Sequence, residues 1–72
     1  MKILEENDEQ LYKIIERDDG TVELDIVLGT IGWYEMHIPF TPEELTRYRE
    51  EGQSFLRWFI ARVRAAPDDY ER

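Results

Sequence analysis

His37 is the single histidine of the chain and the side chain best suited to acid–base or metal chemistry near neutral pH. A catalytic dyad would need Asp25 or Glu35 to orient the imidazole, with a hydroxyl nucleophile beside it. The candidate serine and threonine nucleophiles are Thr21, Thr30, Thr41, Thr46 and Ser54. None of them lies in a recognised nucleophile motif. We therefore expect no catalytic residues and no enzymatic activity.

A metal site is the other kind of functional site that His37 and nearby acidic residues could form. Residues two apart in a strand share a face, which places Glu35 beside His37 and Glu23 beside Asp25. Structural zinc usually takes several His or Cys ligands, and the chain has no cysteine. We therefore predict no metal ligands and no cofactor. A minimal metal-binding or catalytic site around His37 is kept as a third functional hypothesis.

Alternating and β-branched residues predict three antiparallel strands in the first part of the chain. The first strand ends at the turn sequence Asp18-Asp19-Gly20, where glycine can take the positive φ of a three-residue hairpin loop. A second strand precedes the Gly29–Gly32 interruption and a third follows it. The strand-forming ranges are 10–17, 21–28 and 33–40.

A symmetric hairpin loop predicts the pairing between the first two strands. The expected pairs are Tyr12 with Ile26, Ile14 with Leu24 and Glu16 with Val22. One helix covers only one face of such a sheet, so the other face is expected to stay open. Its apolar residues would form a patch among charged side chains, which suggests a protein interface. The patch consists of Leu11, Ile15, Val27 and Trp33.

Residues 41–66 predict one amphipathic helix. Thr41 is a capping residue, Pro42 suits the first helical position, and Glu44 completes a capping box. Apolar residues then recur along one stripe as far as Ala66, after which Pro67 opposes further helix. The last helical turns are basic, and positive charge there suits the negative end of the helix dipole.

Two helix residues need separate interpretation. Gly52 lies within the apolar stripe, and we interpret its missing side chain as a close approach of the helix backbone to the sheet. Trp58 lies on the opposite side of the helix, where it either anchors a partner or packs along the side chains of Arg57 or Arg62. We include Trp58 among the predicted interface residues.

The predicted fold class is α+β: a three-stranded antiparallel β-meander followed by one C-terminal amphipathic α-helix packed on one face (β-β-β-α). A chain of 72 residues supports a single small domain. Its parts are residues 1–9, whose order the sequence leaves open, the meander 10–40, the helix 41–66 and the tail 67–72.

The net charge of −8 is concentrated in the first forty residues, which contain ten acidic residues and only three basic ones. A field of this sign repels nucleic acid and attracts a basic partner. The chain contains no apolar stretch of signal-peptide or transmembrane length. We therefore expect a cytoplasmic protein that binds neither nucleic acid nor membrane.

Two protein-binding functions follow from these observations. The first is a small soluble interaction or regulatory module that forms a homodimer through the exposed sheet face. The alternative is an acidic inhibitor or immunity-type protein that binds a basic enzyme. In either case the partner is a protein, either another chain or a second copy of this one.

Overall fold

The computed structural model describes every residue except Thr30 and Ile31, so the side of the sheet that Ile31 takes lies outside the described residues. The chain divides into two compact units, Met1–Pro39 and Phe40–Arg72. The first unit is an antiparallel sheet and the second is helical. This confirms the α+β class, while the prediction of a single domain stays a prediction.

The sheet has four strands, which lie side by side in chain order, each antiparallel to the next. They are β1 (Lys2–Asn7), β2 (Tyr12–Glu16), β3 (Val22–Leu28) and β4 (Tyr34–Pro39). The prediction of three strands is therefore wrong, because the N-terminal segment adds β1. The sequence of β1 does not alternate, and a bulge between Ile3 and Glu5 accommodates its irregular pattern.

The hairpin between β2 and β3 forms as predicted. Arg17 N–H donates to the carbonyl of Thr21 at 2.8 Å, and Gly20 takes a φ of +88°. The three predicted cross-strand pairs, Tyr12 with Ile26, Ile14 with Leu24 and Glu16 with Val22, are all present. This register decides which side chains share a face of the sheet.

The two faces of the sheet differ sharply in chemistry. One carries the buried apolar residues Tyr12, Ile14, Val22, Leu24, Ile26, Leu28 and Ile38. We call the other the carboxylate face. Its residues are Ile3, Glu6, Lys13, Ile15, Glu23, Asp25, Val27, Glu35, His37 and Pro39.

The helical unit contains two helices, α1 (Pro42–Glu51) and α2 (Gln53–Ala65), followed by a 3₁₀ turn at Pro67–Tyr70. The predicted capping box is confirmed, since Glu44 N–H donates to Thr41 Oγ1 at 3.2 Å and Thr41 N–H donates to Glu44 Oε1 at 2.9 Å.

The prediction of one continuous helix is wrong, because the backbone changes direction at Gly52. This residue has φ +58° and ψ −122°, angles that favour glycine. A Cβ placed there would meet no atom within 4 Å, so no close neighbour requires the missing side chain, and the approach of the helix to the sheet stays a prediction. Gly52 is needed for its backbone conformation.

An aromatic cluster fills the interior of the helical unit. Phe59 stacks on Phe55 at 5.3 Å between ring centroids, and it meets Phe40 and Tyr70 edge-on at 5.5 and 5.4 Å. The buried residues of α2 are Phe55, Leu56, Phe59, Ile60 and Val63. Among the described residues, no helix has the length and apolar character needed to cross a membrane.

Candidate functional site

Two acids and the histidine meet at the centre of the carboxylate face. Glu23 and Asp25 lie two residues apart on β3 and therefore share a face. The β3–β4 register places His37 directly opposite Asp25. The side chains of Glu23 and Asp25 are only 7% and 4% exposed, whereas that of His37 is 52% exposed. The site therefore consists of two buried carboxylates beside an imidazole that solvent can reach.

Each nitrogen atom of the His37 imidazole lies close to at least one carboxylate. Its Nδ1 is 2.8 Å from Asp25 Oδ1 and 3.3 Å from Glu23 Oε2. Its Nε2 is 3.2 Å from Oε1 of Glu35. The arrangement that the sequence allowed, with Glu23, Asp25 and Glu35 around His37, is thus present in the structure.

The two carboxylate oxygens nearest to Nδ1 lack hydrogen bonds. Glu23 Oε1 accepts a hydrogen bond from Arg17 Nε at 2.5 Å, but Glu23 Oε2 and Asp25 Oδ1 have no hydrogen-bond partner among the described residues. His37 Nδ1 approaches these two oxygens as an ion-pair contact, at 2.8 Å from Asp25 Oδ1 and 3.3 Å from Glu23 Oε2. Leaving a buried acceptor without a donor usually costs about 1–3 kcal/mol.

The pKa values of the cluster reflect these surroundings. Hydrogen bonding to Arg17 lowers the pKa of Glu23 to about 2, although burial acts in the opposite direction. Burial raises the pKa of Asp25 to about 6, and the neighbouring Glu23 carboxylate adds to this effect. The Asp25 carboxylate in turn raises the pKa of His37. Two adjacent carboxylates thus have pKa values shifted in opposite directions.

An open depression of about 210 Å³ lies beside the cluster in the sheet unit. Its lining combines four acidic residues and one basic residue with apolar and neutral ones: Glu6, Asp8, Asp25, Glu35, Lys13, Leu11, Tyr12, Val27 and Asn7. This combination suits a long basic side chain, which has an apolar stem and a cationic end. The positions of Glu6 and Asp8 beside this depression could not be predicted from the sequence, because they depend on β1.

The predicted apolar patch is only partly open. Trp33 is 73% exposed, Leu11 is exposed, and Val27 is half-buried. Ile15 is buried, so its expected contribution to an open patch is absent. The reason is that β1 lies beside β2 and pairs Ile3 with Ile15, which makes β2 an internal strand.

Trp58 is 45% exposed and has arginine neighbours within its own unit. The guanidinium carbons of Arg47 and Arg62 lie 4.6 and 5.0 Å from the centre of its ring. Both distances fall in the cation–π range. Packing against Arg62 agrees with one of the two sequence-based interpretations, while the other neighbour is Arg47 and not Arg57.

Several hydroxyl groups considered as nucleophiles have local structural partners. Thr21 Oγ1 donates to Asp19 Oδ1 at 2.7 Å, and Thr46 Oγ1 donates to the carbonyl of Pro42 at 3.0 Å. Thr41 caps α1. These three groups therefore hold a turn and the start of a helix.

Comparisons with protein-family models, with curated proteins and with solved structures find no match for this chain.

Proposed function

We propose that this protein is a small interaction module whose carboxylate face binds a basic surface of a partner protein. The observation that supports this most directly is the open depression, whose lining has four acidic residues against one lysine and includes the apolar Leu11 and Val27. A lysine or arginine of the partner would place its stem against the apolar part and its charge near the acids. The partner class is therefore a basic protein, such as an enzyme that this chain inhibits.

The charge distribution adds long-range support to the same proposal. The first forty residues carry three basic and ten acidic side chains. Such a field speeds encounter with a basic protein and makes the association rate depend on salt. We also propose a cytoplasmic location, since a chain without cysteine suits a reducing compartment.

A homodimer through the same face is the competing proposal. The exposed Trp33 favours it, because a large exposed aromatic ring is a common interface residue. A two-fold stack of carboxylate faces, however, would bring acids of one copy toward acids of the other. The burial of Ile15 also reduces the apolar area that such a stack could use. We therefore favour a basic partner.

The test compares two charge-reversed variants with the same net charge. Glu6→Lys with Glu35→Lys changes exposed positions of the carboxylate face, and Glu43→Lys with Glu50→Lys changes exposed positions of α1. Proteins captured by the wild type are purified, and their Kd values are measured for all three chains at low and high salt. We expect the face variant to weaken binding by roughly tenfold or more, at about 1 kcal/mol per charge. The control variant should bind with nearly the wild-type Kd.

Two results would contradict the proposal. One is a set of partners that bind the face variant as well as the wild type, or whose Kd does not change with salt. The other is self-association of the wild type in sedimentation experiments, abolished by Trp33→Glu, without binding to any basic protein. The second result would support the homodimer instead.

A further inference from the structure

We propose that Glu23, Asp25 and His37 form a binding site for a divalent transition-metal ion, for which Zn²⁺ is the appropriate probe. The three residues offer one ligand atom each, and these atoms all lie within 4.8 Å of one another. The sequence alone predicted no metal ligands, because one histidine among acids is common on protein surfaces. This cluster differs from such surface groups because Glu23 and Asp25 are buried and one oxygen of each lacks a hydrogen-bond partner among the described residues.

The unpartnered oxygens are the observation that points to a ligand. Glu23 Oε2 and Asp25 Oδ1 are buried, lack hydrogen-bond partners among the described residues, and both lie close to His37 Nδ1. Two lone pairs and a ring nitrogen thus converge on one small volume. A bound cation would satisfy all three groups at once and neutralise the two adjacent negative charges.

The neighbours of the three ligands are placed to orient them. Glu35 Oε1 lies 3.2 Å from His37 Nε2, where it can accept a hydrogen bond from Nε2–H and so leave Nδ1 free to bind metal. Arg17 donates to Glu23 Oε1 and leaves Oε2 for the cation. Outer carboxylates paired with ligating histidines are a common feature of zinc sites.

The donor set selects the class of metal. One imidazole nitrogen and two carboxylate oxygens suit Zn²⁺ and neighbouring transition ions, whereas Mg²⁺ and Ca²⁺ prefer oxygen ligands alone. The exposure of His37 gives the ion an entry route. A three-ligand site on an exposed face would also leave a coordination position open to solvent.

The test uses the full chain without an affinity tag, after removal of metal with a chelator. Calorimetric titration with ZnCl₂ should show one ion per chain, and saturation should raise the Tm. His37→Gln removes one of three ligands and should abolish the Tm increase. Glu35→Ala removes only an orienting group and should weaken Zn²⁺ binding by about 10- to 100-fold. The matched control Glu43→Gln lies on α1 and should bind as the wild type does.

Nuclear magnetic resonance of the imidazole gives a second measurement that does not depend on a variant. Zinc should bind Nδ1 of His37 and leave the proton on Nε2. Zinc on Nε2 would overturn the proposed geometry. The proposal as a whole fails if Zn²⁺, Co²⁺ and Mn²⁺ all leave the Tm unchanged, or if His37→Gln binds zinc with the wild-type Kd.

Discussion

Glu44 in the helical unit and Asp25 in the sheet are both shielded from solvent, yet their carboxylates have opposite surroundings. Glu44 accepts hydrogen bonds from Arg72 Nη1 and Nη2 at 2.7 and 3.0 Å and from Thr41 N–H at 2.9 Å. Asp25 Oδ1 has no hydrogen-bond partner among the described residues. Burial disfavours the charge of both groups, but the donors around Glu44 outweigh it and lower its pKa, whereas burial raises the pKa of Asp25 to about 6.

The difference shows that hydrogen-bond donors, more than burial, decide whether a shielded acid stabilises a fold. Glu44 caps a helix and binds an arginine, so its charge contributes to stability. Asp25 lies next to Glu23, and burial disfavours its charge more than the neighbouring His37 imidazole offsets it. Changing each carboxylate to an amide should therefore shift stability in opposite directions.

The largest expected effect is a gain in stability from Asp25→Asn in metal-free protein. The amide removes one of two adjacent buried charges and can donate to Glu23, so we expect the free energy of unfolding at pH 8 to rise by about 2 kcal/mol. Urea denaturation in the presence of a chelator measures it. Saturating zinc should stabilise the wild type but not this variant. A loss of stability without metal would show that the ionised Asp25 is already well accommodated.

Glu44→Gln should have the opposite sign and lower the free energy of unfolding by about 1.5 kcal/mol at pH 7. Because its pKa is lowered in the folded state, ionised Glu44 contributes stability above the ordinary pKa of 4.5, and this is lost as the pH falls through the folded value. The difference between wild type and variant should therefore shrink as the pH falls below the ordinary pKa of 4.5. Glu43→Gln, the exposed neighbour, serves as control, and an equal loss there would refute the role of the Arg72 pairing.

Gly52→Ala should destabilise the helical unit by about 1 kcal/mol, since alanine is strained at φ +58°. Thermal unfolding compared with Ser54→Ala, an exposed site near the start of α2, separates backbone strain from helix propensity. If Gly52→Ala were instead stabilising, the two helices would prefer to join into one.

The smallest effects should distinguish the two exposed tryptophans. Trp58→Ala loses its contacts with Arg47 and Arg62 and should cost about 0.5–1 kcal/mol. Trp33→Ala, at a more exposed position, should change the free energy of unfolding by less than about 0.5 kcal/mol. Equal losses from the two substitutions would mean that Trp33 is also held by its surroundings.

Much of the fold could be predicted because its signals are local. The Asp18-Asp19-Gly20 loop and the alternation after it defined the β2–β3 register, and Thr41 with Glu44 marked the start of α1. The break at Gly52 was harder to predict, because glycine in an apolar stripe is compatible both with close packing and with a positive φ.

The candidate site was predictable in its members but not in its character. Alternation placed Glu23 and Asp25 on one face of their strand and Glu35 and His37 on one face of theirs, because a strand repeats every two residues. Residue spacing in the sequence cannot show that Glu23 and Asp25 are buried. Nor can it show that Glu23 Oε2 and Asp25 Oδ1 lack hydrogen-bond donors among the described residues.

The sequence by itself determined the hairpin register, the helix start and the acidic character of the carboxylate face, since each depends on residues close together in the chain. Only the tertiary structure decided that β1 joins the sheet, that Ile15 is thereby buried, and that Glu23 and Asp25 converge on His37. These features depend on pairing between segments and on the solvent and hydrogen bonds that pairing removes or provides, and no local pattern encodes them.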